Sequence, residues 1–285
     1  FFNKDGQKFS NELERRIETK LTHDMIAVES INLGKASRMS DAQGRYIEFC
    51  KSSFTNLDLN GLSILLDCAN GATYSVAPKV FSELGANVDT IAASPDGINI
   101  NQNCGSTNPN TLKEAMIKGS YDIGIAFDGD GDRILIVNSD GEVLDGDDIL
   151  YILSRGIPDD SGVVGTLMTN KALELYFQNE EIEFSRADVG DKYVLQSLVQ
   201  KSWFLGGEPS GHIICLDSAP TGDAIIAALK LLNAIKENEF SVKKSLEDFK
   251  KFPQTLINLK VDNPNKIIVS DKFWERVTEI EFKLG

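Results

Sequence analysis

Histidine is nearly absent from this chain of 285 residues: there are two, alongside only four cysteines. Such scarcity excludes a Cys/His zinc cage. Cys50, Cys68, Cys104 and Cys215 form no C-x-x-C pair and are too scattered for a disulfide scaffold, so they read as the reduced thiols of a cytoplasmic protein. Positive charge is also short. Lys plus Arg number 29 against 43 Asp plus Glu, a formal charge of −14. A surface this acidic repels nucleic acid and anionic membranes alike, so neither is expected as a partner. It still permits a small phosphorylated substrate, which needs only a local cationic pocket. Long apolar runs are missing too. Nothing approaches the roughly 18 residues that a membrane-spanning helix needs, and the first residues show no signal-peptide pattern. What remains is a globular composition, 41% hydrophobic and 25% charged. The length suits two domains of about 150 residues.

The pattern along the chain is α/β. Residues 8–22 read as a helix, with Asn11 and Glu14 as a capping box and Leu13, Ile17 and Leu21 at helical spacing. The polar stretch 34–41 suits a linker. Two blocks then share one rhythm. The first has a strand at 62–66, a turn at 68–72, a helix through Val76, Val80 and Leu84, a stop at Gly85 and a strand at 88–91. The second has strands at 163–167, 182–187 and 203–205, separated by helices at 172–177 and 192–199. Such alternation predicts βαβ units and a mainly parallel sheet. The expected organisation is two complete three-layer α/β/α domains, at 41–142 and 143–254. They are flanked by the remnant of a preceding domain at 1–40 and the start of a following one at 255–285, the latter opening with a strand at 257–261 and a helix at 270–280.

The strongest chemical signal is the loop 128–133, where Asp128, Asp130 and Asp132 alternate with glycines between two apolar runs and Arg133 follows at once. Two carboxylates about 4 Å apart repel by roughly 1–4 kcal/mol at an effective dielectric between those of a protein surface and water. Converging three of them calls for a cation. Hard oxygen donors in a short, tight set suit Mg²⁺, and Arg133 could hold a phosphate beside it. An EF-hand is excluded, because its sixth position would be Arg133 and its twelfth Ser139. The second signal is the glycine-rich loop 206–212, which presents Glu208, Ser210 and His212. Glu and Ser can bind sugar hydroxyls, and His can carry a proton near neutral pH. Ser210 is no hydrolase nucleophile, since its surroundings are not G-x-S-x-G.

Together these loops, with matching stretches at 51–54, 67–72, 99–107, 145–147, 189–191 and 221–223, resemble the α-D-phosphohexomutases over nearly the whole chain. The intervening stretches are most similar to the branch acting on glucosamine phosphate, with the glucose- and mannose-phosphate branch as the alternative. Pro209 lies at a variable position that does not settle the sugar. The resemblance implies three α/β domains and a smaller fourth. It implies transfer of a phosphoryl group between the 6- and 1-positions of a hexose, by way of a phosphoserine and a hexose 1,6-bisphosphate. Asp128, Asp130 and Asp132 would bind one Mg²⁺, and Arg133 would touch the transferring phosphoryl group. Glu208 and Ser210 would contact the sugar, and His212 would contact phosphate or carry a proton. The partner would be a small sugar phosphate, and a homodimer is compatible with the family. No stretch of this sequence matches the family's T-A-S-H-N-P-type serine loop or its R-x-S-G-T-E-P-type phosphate loop. They are expected upstream of Phe1 and beyond Gly285. A chain without the donor serine loses several orders of magnitude in rate. Supplied with Mg²⁺ and a hexose 1,6-bisphosphate, these 285 residues should therefore convert no hexose 6-phosphate in a coupled assay. Turnover would place the nucleophile elsewhere.

Overall fold

A computed structural model describes residues 3, 9–24, 27–255, 257, 260–262, 267 and 269–284. The chain divides into two compact units, Phe1–Phe252 and Pro253–Gly285.

The first unit opens with helix α1 (Asn11–Leu21). Its N-cap is Ser10 rather than Asn11, since Ser10 Oγ accepts the Leu13 amide at 3.3 Å while Asn11 is already helical. Helix α2 (Ala42–Ser52) leads into strand β1 (Ser63–Asp67), helix α3 (Ala77–Glu83), strand β2 (Asn87–Ile91) and helix α4 (Asn110–Lys118). Strands β3 (Ile123–Phe127), β4 (Ile134–Asn138) and β5 (Val143–Leu144) complete a sheet of order β2-β1-β3-β4-β5. Strand alternation sends side chains to two faces. Leu65, Ala126, Leu135 and Val137 pack with Leu112 and Met116 of α4, whereas Ile64, Leu66 and Ile125 join Ile47 of α2 and Val80 and Phe81 of α3. This is the expected three-layer sandwich.

Helix α5 (Gly146–Ser154) begins the second sheet's layers. Strand β6 (Gly162–Thr166), helix α6 (Lys171–Asn179), strand β7 (Glu183–Ala187) and helix α7 (Asp191–Lys201) follow, then strands β8 (Leu205–Gly207) and β9 (Ile213–Cys215), helix α8 (Ala224–Ile235) and the short α9 (Val242–Ser245). The order is β7-β6-β8-β9. Val164 and Ile214 pack with Val194 and Leu198 of α7 on one face. Helices α5 and α8 lie in the core that both sheets share, and every residue of α5 is buried.

Parallel pairing predominates, as expected, but neither sheet is wholly parallel. β1 pairs in parallel with β2 and β3, and β6 with β7 and β8, but β3–β4, β4–β5 and β8–β9 are antiparallel. Chain length is the reason. A parallel return needs a crossover of about a dozen residues, and the loops 128–133 and 208–212 are too short. Both chemically marked loops are hairpin connections. The third strand of the second block is also displaced to Leu205–Gly207, with Trp203 buried just before it.

In the second unit, helix α10 (Asp271–Leu284) takes the place of the helix expected at 270–280. Of the strand expected at 257–261, residues 258 and 259 lie outside the described residues, and Ile257 and Val261 carry no strand.

Asp147 sets a measurable feature of this fold. It sits in the first turn of α5 at 2% exposure, where Oδ2 accepts the Asn170 amide at 2.8 Å and Oδ1 has no partner among the described residues. Burial is the main force raising its carboxyl to about 6. The folded chain thus holds this proton more tightly than the unfolded one. The stabilising contribution is complete below about pH 4 and lost as pH rises through about 6. Relative to the parent, Asp147→Asn should gain about 2–3 kcal/mol in urea-unfolding free energy between pH 4 and pH 7. Parallel curves would refute the burial argument.

Candidate active site

The loop after β3 is folded around one carboxylate. Asp128 Oδ1 accepts the backbone amides of Gly131, Asp132 and Arg133, each at 3.1 Å, and the Asp128 amide donates back to Arg133 O at 3.3 Å. That leaves Oδ2 as the oxygen Asp128 can offer. Ligand oxygens from Asp128, Asp130 and Asp132 all lie within 4.8 Å of one another. Asp128 is buried, Asp132 half-buried and Asp130 exposed. Burial, followed by the charges of Asp132 and Asp130, pushes Asp128 up to about 6 against the pull of the Arg133 amide. Asp132 is instead held below the usual range, chiefly by His212 and also by Arg133. Arg133 Nε stands 3.9 Å from Asp128 Oδ2 and 4.0 Å from Asp132 Oδ1. Three carboxylates and one guanidinium leave about two negative charges, presented as hard oxygens. This donor set fits a divalent cation of the Mg²⁺ type.

The loop after β8 is built against the first. Ile134 donates its amide to Gly211 O at 3.0 Å, and Arg133 and His212 pair as an antiparallel bridge. Gly146 donates to Pro209 O at 3.1 Å and Ala224 to Gly131 O at 3.0 Å. Gly211 has φ +90, and a Cβ there would stand 2.0 Å from Ile134 O. Only glycine allows this approach.

The expected site residues meet here in different states. Arg133 and Ser210 are exposed. Glu208 is 7% exposed, and its Oε1 accepts the Gly190 amide at 2.9 Å, which ties it to the 189–191 stretch. His212 is 2% exposed, with Nδ1 3.3 Å from Asp132 Oδ2 and Nε2 3.9 Å from Asp191 Oδ2. A cleft of about 540 Å³ opens beside the 128–133 loop, lined by Asp130, Asp132, Thr221, Tyr46 and Glu14 among others.

Three supporting residues escaped the sequence reading. Tyr46 donates its hydroxyl to the Asp223 carboxylate at 2.8–2.9 Å, and Asp223 caps α8 by accepting the Ile225 and Ile226 amides. Burial is the main cause raising the Asp223 carboxyl. Asp67, fully buried, accepts the Ala69 and Gly105 amides and so ties the 67–72 stretch to the 99–107 stretch. Asp191 faces His212. Asp67 and Asp191 lay in marked stretches, whereas nothing in the sequence links Tyr46 to a residue 177 positions on.

The frame so defined is a pair of α/β/α layers whose two hairpin loops interlock over an acidic cleft. The chain belongs to the phosphoglucomutase/phosphomannomutase family, whose α/β/α domain II matches residues 44–141 and whose α/β/α domain III matches residues 145–252. It is similar to a curated phosphoglucosamine mutase of Aeromonas hydrophila, 49% identical over 290 residues, covering 100% of this chain and 65% of that protein. A Pseudomonas aeruginosa phosphoglucosamine mutase is 50% identical with the same coverage. The chain thus spans 65% of the length of these relatives. In fold it resembles a phosphoglucomutase/phosphomannomutase family protein from Burkholderia thailandensis, with TM-score 0.63, 23% identity and coverage of 73% of this chain and 46% of that one. It also resembles an Aspergillus fumigatus N-acetylphosphoglucosamine mutase solved with GlcNAc-6P and magnesium, with TM-score 0.62, 22% identity and coverage of 77% and 56%.

Gly211→Ala should cost about 2–5 kcal/mol in urea unfolding, the sum of a strained backbone and an overpacked contact. Unchanged stability would mean that the joint between the loops is not fixed.

Proposed function

We propose that this chain is the metal- and sugar-binding part of a phosphoglucosamine mutase, with the blocks 41–142 and 143–254 as its two central domains. The whole protein would interconvert glucosamine 6-phosphate and glucosamine 1-phosphate. The observation that carries the reading is the backbone joint between an Asp-rich loop and a Glu/Ser/His loop at one acidic cleft. The relatives of about half-identical sequence support the choice of sugar.

In this reading Asp128, Asp130 and Asp132 hold Mg²⁺, which supplies charge neutralisation at a phosphoryl oxygen when bound. The side chains do the rest. Arg133, exposed above the triad, binds the phosphoryl group being moved. Exposed Ser210 accepts or donates to a sugar hydroxyl, and Glu208, oriented by Gly190, accepts from another. Phosphoryl transfer depends mostly on positioning and charge neutralisation, and a rigid pair of loops supplies both.

The test is substrate preference in the complete protein. Glucosamine 6-phosphate should be turned over with a higher kcat/KM than glucose or mannose 6-phosphate, and Glu208→Ala should lower kcat/KM by about ten- to a hundredfold. Glu208→Gln keeps an acceptor for Gly190 and separates sugar binding from loop support. A preference for glucose or mannose 6-phosphate would move the protein to the other branch of its family. Wild-type kinetics in both variants would remove Glu208 from the sugar site.

A further inference from the structure

We infer that His212 is a positioning residue of the metal loop: its imidazole holds Asp132 by Oδ2, so that Oδ1 is the oxygen turned toward a divalent cation. This deepens the metal reading above and rests on it.

Four observations place the ring. Nδ1 lies 3.3 Å from Asp132 Oδ2. Nε2 lies 3.9 Å from Asp191 Oδ2, with no hydrogen-bond partner among the described residues. The outer edge is closed by backbone, since a Cβ on Gly222 would stand 2.2 Å from Nε2. The His212 main chain is fixed in turn, because its carbonyl accepts the Glu208 amide at 3.0 Å and the residue pairs with Arg133. A ring enclosed at 2% exposure, with a carboxylate near each nitrogen, suits holding a ligand better than ferrying a proton to a sugar hydroxyl.

The chemistry follows from how metal ligands are held. A carboxylate with a free torsion must be ordered before it can coordinate, and a group behind it removes that cost. Loss of such a group usually weakens metal binding by about 10- to 100-fold. The geometry also distinguishes the two nitrogens. Asparagine can donate from nearly the place of Nδ1, whereas glutamine reaches the place of Nε2.

The experiment is calorimetric titration of Mn²⁺ into the 285-residue chain and its His212→Asn and His212→Gln variants, with circular dichroism confirming the fold of each. His212→Gln should bind Mn²⁺ about 10- to 100-fold more weakly, and His212→Asn should stay within a few-fold of the parent. A purely structural role would lower unfolding temperature in both variants while leaving affinity alike. A parent chain that binds no Mn²⁺ would overturn the metal reading itself. A parent that binds, with His212→Gln binding equally well, would overturn only the role of His212. A second measurement needs no variant. Ring nitrogen NMR during Mg²⁺ titration should shift the His212 Nδ1 signal and leave exposed His23, the only other histidine, unmoved. Mg²⁺ binding without movement of His212 would count equally against the inference.

Discussion

Ile134 donates its amide to Gly211 O, and around that bond the first sheet's hairpin and the second sheet's hairpin pair as one short antiparallel ribbon. Each backbone bond is worth only about 1 kcal/mol net. Its importance is directional. The second loop is also held to α5 where Gly146 meets Pro209, and the first to α8 where Ala224 meets Gly131, so each is held from several sides. A cation bound in the first loop and a sugar bound in the second would therefore sit on one body. The burial of α5 and α8 between the sheets backs this joint with a shared apolar core.

Electrostatics explains why so much backbone is spent here. Asp128, Asp130 and Asp132 repel one another inside a protein already at −14, and an unsupported loop would open to relieve that repulsion. Three amides converging on Asp128 Oδ1 prevent it. Arg133 Nε and His212 Nδ1 stand 4.0 Å and 3.3 Å from the two Asp132 carboxylate oxygens. Further out, Tyr46 binds the Asp223 carboxylate that caps α8, and the first amide of that helix, on Ala224, holds Gly131. Backbone and side-chain partners thus hold an unfavourable charge arrangement in place.

Local pattern revealed much of this. The strand–helix rhythm placed β1, α3, β2, β6, α6, β7 and α7 to within a few residues, because apolar period and turn residues are local properties. The Asp/Gly alternation between two apolar runs located the triad that the fold brings together. Other features depend on distance along the chain. The antiparallel turns of β4 and β9 follow from loop length against crossover length, which a reading based on βαβ rhythm overlooks. Ser10 rather than Asn11 caps α1, since two adjacent polar residues can both cap and only the backbone chooses. Tyr46 with Asp223, and His212 with Asp132 and Asp191, become neighbours only after both sheets have formed.

The loop after β3 and the loop after β8 should open and close together. Amide hydrogen exchange measures it directly, because cooperative units lose protection with one free energy. The Ile134 amide, donated to Gly211 across the joint, and the Gly146 and Ala224 amides, which hold the two loops to α5 and α8, should exchange with a common opening free energy close to that of unfolding the whole first unit. Fast, loop-like exchange at Ile134 while Gly146 and Ala224 remain protected would contradict the account.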